Sequence, residues 1–251
     1  MRILLTNDDG IDAPGLAALA QSVQLTFADA QCEIFVVAPD RGRSECSHSV
    51  TGDRPLVLKE VKENWFSVDG TPVDCVRVAL TTLMPSPTFV LSGINAGANL
   101  GVNLMVSGTF AAAREAAVHQ VSAMAISHYR RPDVPKTWDH THRWLQSMLH
   151  TFAKHVETNR DKTTLWNLNL PAIDPNSETP LVKWCEVDQC PIERKSKQDG
   201  ELVSFELDFH KRARVVGTDV DLCFSGFTTV SDVAPHFFTG SNRNDAAKPL
   251  S

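Results

Sequence analysis

Residues 2–27, RILLTNDDGIDAPGLAALAQSVQLTF, decide how the rest of the chain is read. Ile3, Leu4 and Leu5 form an unbroken apolar run, the pattern of a short strand buried on both faces inside a parallel sheet. The run ends in Asn7-Asp8-Asp9-Gly10, two carboxylates side by side before a glycine. Pro14 then stands where the first turn of a helix tolerates it, and Leu16, Leu19, Ala20, Val23 and Phe27 follow at helical spacing.

The same alternation continues outward. EIFVVA (33–38), TFVLS (88–92) and AMAIS (123–127) repeat the buried-strand pattern. Thr71-Pro72-Val73-Asp74 reads as a capped helix start, and an alanine-rich helix opens at Ser107-Gly108. PLVLKEV and NWFSVD suggest an extended ribbon reaching Gly70. The whole predicts an α/β fold with a mostly parallel sheet covered on both faces. After Pro135 the texture changes. A helix is expected over 137–157, with Leu145, Met148, Leu149, Phe152 and Val156 on one face. Strands are expected at 164–170, 181–187 and 201–209, the last two joined at Asp199-Gly200. The tail from Ser241 has no packing pattern. We expect a single domain over 1–251, with a core over 1–130 and a C-terminal elaboration over 131–251.

A net charge of -6 over 251 residues gives no electrostatic reason to expect a nucleic-acid polymer or an anionic membrane as partner. No apolar run approaches the roughly 18 residues that span a bilayer. The six cysteines form no C-x-x-C pair, which argues against zinc. Strand-like sequence begins directly after Met1, so a cytoplasmic location is the expectation.

In a parallel sheet, ligands bind beyond the carboxyl ends of the strands. That rule gathers Asn7 to Gly10, Arg41 to Ser49, Ser92 to Asn95 and Ser127-His128 along one edge. Asp8 and Asp9 repel each other, and a partly dehydrated pair calls for a cation. Carboxylates with nearby serine and asparagine oxygens suit Mg²⁺, Mn²⁺ or Ca²⁺. N-D-D-G is equally the composition of a plain turn. Ser107, Gly108 and Thr109 open a helix, where free N–H groups favour an anion; Ser107 as an ordinary cap explains the same residues. GINAGANLG is rich in glycine and asparagine, as a loop pressed around a ligand would be. Arg41 and Arg43 suit a phosphate or solvent, and His48 either protonates a leaving group or stays solvated.

Taken together, MRILLTNDDGIDAPG, VVAPDRGRS, GTPVDCV, VLSGINAGANLG and SGTFAAAREA resemble, in order and spacing, the SurE family of metal-dependent nucleotidases. The resemblance is dense to about Ser127 and thins to WNLNLP (166–171) and VDLCFSGFTTVS (220–231). It implies a Rossmann-like three-layer core followed by a variable C-terminal β-ribbon and helix region. It implies one divalent cation per subunit, Mg²⁺ or Mn²⁺, held by Asp8, Asp9, Ser44 and Asn95, with the two aspartates at the catalytic centre. The implied activity is hydrolysis of nucleoside 5′-monophosphates and also 3′-monophosphates; our own reading of the loops and the helix start puts Arg43, Asn99, Ser107, Gly108 and Thr109 around the phosphate. A homodimer or homotetramer is implied as well. The competing readings are a noncatalytic nucleotide- and metal-binding stress protein and, more distantly, a phosphorelay receiver. A receiver needs a second phosphoacceptor aspartate and a late lysine, which VLSGIN and AMAIS do not supply.

Overall fold

The computed structural model describes residues 1–44, 46–193, 195–205 and 209–234. The unbroken apolar runs do become interior strands. β1 (Arg2–Thr6) lies between β2 (Glu33–Pro39) and β5 (Phe89–Asn95), parallel to both, with Leu5 opposite Val36 on one side and Leu91 on the other. The ribbon before Gly70 forms the antiparallel pair β3 (Leu58–Lys62) and β4 (Trp65–Val68), and β4 continues the parallel set beside β2. On the other side follow β6 (Ala123–His128) and β7 (Leu165–Leu170), again parallel. Two short strands complete the sheet, β11 (Thr228–Asp232) antiparallel to β7 and β8 (Val182–Trp184) at the edge, giving the order β3-β4-β2-β1-β5-β6-β7-β11-β8.

Strand alternation sorts the core into two layers. Ile3, Leu5, Phe89 and Leu168 face α1 (Pro14–Thr26) and α4 (Thr141–Thr158), where Leu16, Leu19, Trp144 and Phe152 close the layer. Leu4, Val37, Val90 and Leu165 face α2 (Pro72–Val78) and α3 (Gly108–Val118), packed through Val76, Phe110 and the small Ala112, Ala113 and Ala116. Each large buried side chain among them contributes about 1.5–3 kcal/mol. The α/β class read from the strands and helices is therefore the observed one.

Two local expectations fail for identifiable reasons. Residues 181–187 do not pair with 201–209. Instead β9 (Ser196–Asp199) pairs with β10 (Leu202–Phe205) through the Asp199-Gly200 turn, a nearer partner along the chain. β8 joins the main sheet, where Trp184 meets the Trp166 ring edge-on at 4.6 Å between centroids. Of the stretch expected as strand over 201–209, Leu202–Phe205 is strand; 206–208 lie outside the described residues, as does the tail from Ser241. The helix expected from 137 starts at Thr141, because Trp138 and His140 are used in the turn before it: Trp138 O accepts from both the N–H and the hydroxyl of Thr141.

The order reverses at β1. The chain moves outward through β2 and β4, then returns on the far side of β1 as β5 and β6. The loops after β1 and β5 therefore leave a switch point side by side, where an open α/β sheet has room for a ligand. Among the described residues no helix is long and apolar enough to cross a membrane.

Candidate active site

Asn-Asp-Asp-Gly folds as a turn closed by the Asn7 side chain. The Asn7 side-chain oxygen accepts from the Gly10 N–H at 3.2 Å, and its amide donates to the Gly10 carbonyl at 2.8 Å. Neither the Asp8 nor the Asp9 side chain takes part in that closure. Asp8 is buried, and the Thr109 hydroxyl donates to its Oδ1 at 2.5 Å. Burial raises the Asp8 carboxyl to about 6; the bond from Thr109 opposes that rise and the Asp9 charge adds to it. Asp9, partly exposed, accepts from the Ala96 N–H at 3.2 Å, and burial raises it too.

The start of α3 is pressed against this pair. A Cβ added to Gly108 would lie 2.9 Å from both Cβ and Oδ2 of Asp8, so a side chain at 108 would displace the carboxylate. Ser107 is an N-cap, its Oγ accepting from the Phe110 N–H at 3.0 Å. That bond sets where the helix begins and hence where Gly108 and Thr109 meet Asp8.

The other loops arrive through their main chains and amides. The Arg43 N–H donates to the Asp8 carbonyl at 2.7 Å, which docks the loop after β2 and sets the exposed Ser44 one residue beyond. The Arg43 guanidinium itself turns to Asp40 at 3.0 Å. β5 breaks register with β6 between Ser92 and Asn95, where the Gly93–Ile94 peptide is cis. At Gly93 a Cβ would fall 2.2 Å from the Ile126 carbonyl oxygen, a contact that only glycine allows. Asn95 donates its Nδ2 to the Gly97 carbonyl at 2.8 Å, so the free end of its amide is the oxygen. Asn99 donates its Nδ2 to Ser127 Oγ at 2.8 Å, with Thr109 Oγ1 at 3.5 Å.

Hydrogen bonds therefore link Asp8 with Thr109, Asn99 and Ser127, and join Asp9 to the loop that starts at Asn95. His128 turns away: it meets His140 Nε2 at 2.7 Å on the opposite face, and burial, then Arg130, push it down to about 3. His48 is partly exposed, but both of its ring nitrogens are engaged. Its Nε2 lies 2.7 Å from Glu115 Oε2, and its Nδ1 accepts from Arg114 at 3.0 Å. Glu115, buried on α3, also takes Arg77 from α2 and His119. Burial alone would raise it, but these partners, His48 foremost, bring it down to about 2. Glu115 was not singled out from the sequence, though a carboxylate inside an alanine-rich buried helix face is the kind of residue that must find partners.

Fold and site together define a three-layer α/β protein with a carboxylate pair, an asparagine-bearing loop and a helix start gathered at the switch point of its sheet. The family model described as survival protein SurE matches residues 3–194, and the chain belongs to that family. It is 39% identical over 233 residues to a candidate 5′-nucleotidase of Nostoc sp. strain PCC 7120, covering 93% of this chain and 99% of the relative. It is 38% identical over 176 residues to the 5′-nucleotidase SurE of Thermoanaerobacter sp. strain X514, covering 68% and 66%. The crystal structure of the SurE protein from Aquifex aeolicus superposes with a TM-score of 0.78 at 25% identity, covering 95% of each chain.

Proposed function

We propose that the chain is a metal-dependent phosphomonoesterase that hydrolyses nucleoside 5′-monophosphates, and 3′-monophosphates as well, to nucleoside and phosphate. The observation that carries this reading is the buried Asp8 carboxylate, which Thr109 and Asp9 adjoin at the mouth of the sheet. A carboxylate that burial raises, next to a second one, is relieved by a cation. Asp8, Asp9, Ser44 and the Asn95 oxygen form an all-oxygen donor set that fits one Mg²⁺ or Mn²⁺ per subunit. When bound, such an ion neutralises phosphate oxygens and polarises the phosphoryl group.

The protein's own residues supply the positioning on which in-line phosphoryl transfer mostly depends. Gly108 and Thr109, at the N-terminus of α3, bring the positive end of the helix dipole to the phosphate. Ser107 fixes where that helix starts. Asn99 offers an amide donor, and Arg43, paired with Asp40, is the cation of the loop after β2.

The β9–β10 hairpin exposes Leu202 and Phe205, 77% and 79% accessible. A lone two-stranded hairpin is marginal in water. We read it as the contact of a homodimer or homotetramer. The chain as a whole is read as one domain working in the cytoplasm. Phosphate release from AMP and from 3′-AMP with Mg²⁺ or Mn²⁺ tests the activity. Release from AMP is expected. Nucleotide binding without release would leave a noncatalytic binder and overturn the proposal.

A further inference from the structure

β7 carries an anomaly that the reading above does not use. Its sequence is LWNLNL, and all six residues are buried. Trp166, Leu168 and Leu170 face the α1/α4 layer, so Asn167 and Asn169 share the opposite face with Leu165, toward α3. An interior parallel strand normally fills such positions with aliphatic side chains. Two buried amides are retained only where their hydrogen bonds are made.

Both amides are directed at one residue of another loop. Asn169 Oδ1 accepts from the Asn99 N–H at 2.9 Å, and Asn169 Nδ2 donates to the Asn99 carbonyl at 3.0 Å. Asn167 Nδ2 donates to the same carbonyl at 2.9 Å. The main chain of Asn99 is thus held as a ladder partner would hold it, by side chains instead of a strand. Among the described residues the Asn167 Oδ1 is buried with no hydrogen-bond partner, so this amide is held by its Nδ2 end. Asn99 in turn places its own amide on Ser127, the register neighbour of Asn169, and beside Thr109, which donates to Asp8. The next residues of the loop are tied elsewhere: the Gly101 N–H donates to buried Asp219 at 2.8 Å.

We propose that Asn167 and Asn169 are positioning residues for the phosphate site, clamping the main chain of Asn99 so that its side-chain amide is aimed at the Ser127–Thr109–Asp8 line. The clamp rests on the phosphomonoesterase reading. Its work is orientation: a displacement of about 1 Å in a positioning group can cost about 100-fold in rate.

The test is a double-mutant cycle on the full chain with Asn169→Ala, Asn99→Ala and the double variant. It reads kcat and KM on AMP, together with the melting temperature. Each single change should lower kcat/KM by about 10- to 100-fold, and the double variant should be no slower than Asn99→Ala. The melting temperature should fall with Asn169→Ala in both backgrounds. If Asn169→Ala does not fold, Asn167→Ala, which leaves both Asn169 bonds in place, enters the same cycle. Losses in kcat/KM that multiply, or a folded Asn169→Ala with unchanged kcat/KM, would overturn the clamp while leaving the activity standing. A wild-type chain that releases no phosphate would overturn the reading beneath it.

Discussion

At the carboxyl edge of the sheet Asp8, Thr109, Ser127, Asn167 and Asn169 are polar groups taken out of water, whereas the β9–β10 hairpin leaves Leu202, Val203 and Phe205 in it. Both regions depart from the usual sorting of side chains, in opposite directions. At the sheet edge, nearly every buried polar group named above is matched to a specific partner across 28 to 101 residues of sequence. On the hairpin the exposed apolar groups have regular cross-strand partners, and they stay exposed among the described residues. The first pattern is that of a site assembled within one chain. The second is the pattern on which the proposed subunit contact rests.

The comparison breaks if residues of the sheet edge can be changed without consequence. Asp9→Asn removes one carboxylate and keeps the shape. Supporting groups around a metal typically cost 10- to 100-fold when lost, so a direct ligand should cost more than about 100-fold in phosphate release. The melting temperature should hardly move. Full activity in Asp9→Asn would remove the carboxylate pair from the site.

Glu115 sharpens the comparison by pH. Its folded pKa, about 2, lies below the ordinary value near 4.5. Its contribution is therefore fully present above about pH 4.5 and lost as pH falls toward 2. At neutral pH that contribution is on the order of 3 kcal/mol. Unfolding curves of the wild type and Glu115→Gln should differ most at neutral pH and converge by pH 2. A gap independent of pH would show that Glu115 is not held ionised by His48 and Arg77.

Ser107→Ala should cost about 1 kcal/mol of stability, the usual loss of an N-cap. Its effect on turnover should follow only from the displaced start of α3. A large rate loss without a melting shift would instead put the hydroxyl on the substrate. Smallest of all is the expected effect of Phe205→Ser on the folded subunit, within about 0.5 kcal/mol for an exposed position. Light scattering should nevertheless show association weakened. An unchanged assembly, or a wild type that is monomeric at micromolar concentration, would separate the hairpin from any subunit contact.

Much of the sheet edge was legible in the sequence because it is built from local signals. Unbroken apolar runs marked the strands, Asn-Asp-Asp-Gly marked the turn, and Ser107-Gly108 marked the helix start, each within a few residues. The role of WNLNLP was not legible, because Asn167 and Asn169 act on Asn99 some 70 residues away and an asparagine does not announce its partner. The hairpin was misregistered for a related reason. β9, Ser-Lys-Gln-Asp, is exposed at every position and reads as loop, while β8 is only three residues long and finds β11 far down the chain.

On the proposed function, buried Asp8 and partly exposed Asp9 hold a divalent cation against a phosphate ester. Phosphate release from AMP, followed before chelation, after chelation and after return of Mg²⁺ or Mn²⁺, tests it most directly. In the wild type, activity should disappear on chelation and return with the ion. Undiminished release by the metal-free protein would contradict it.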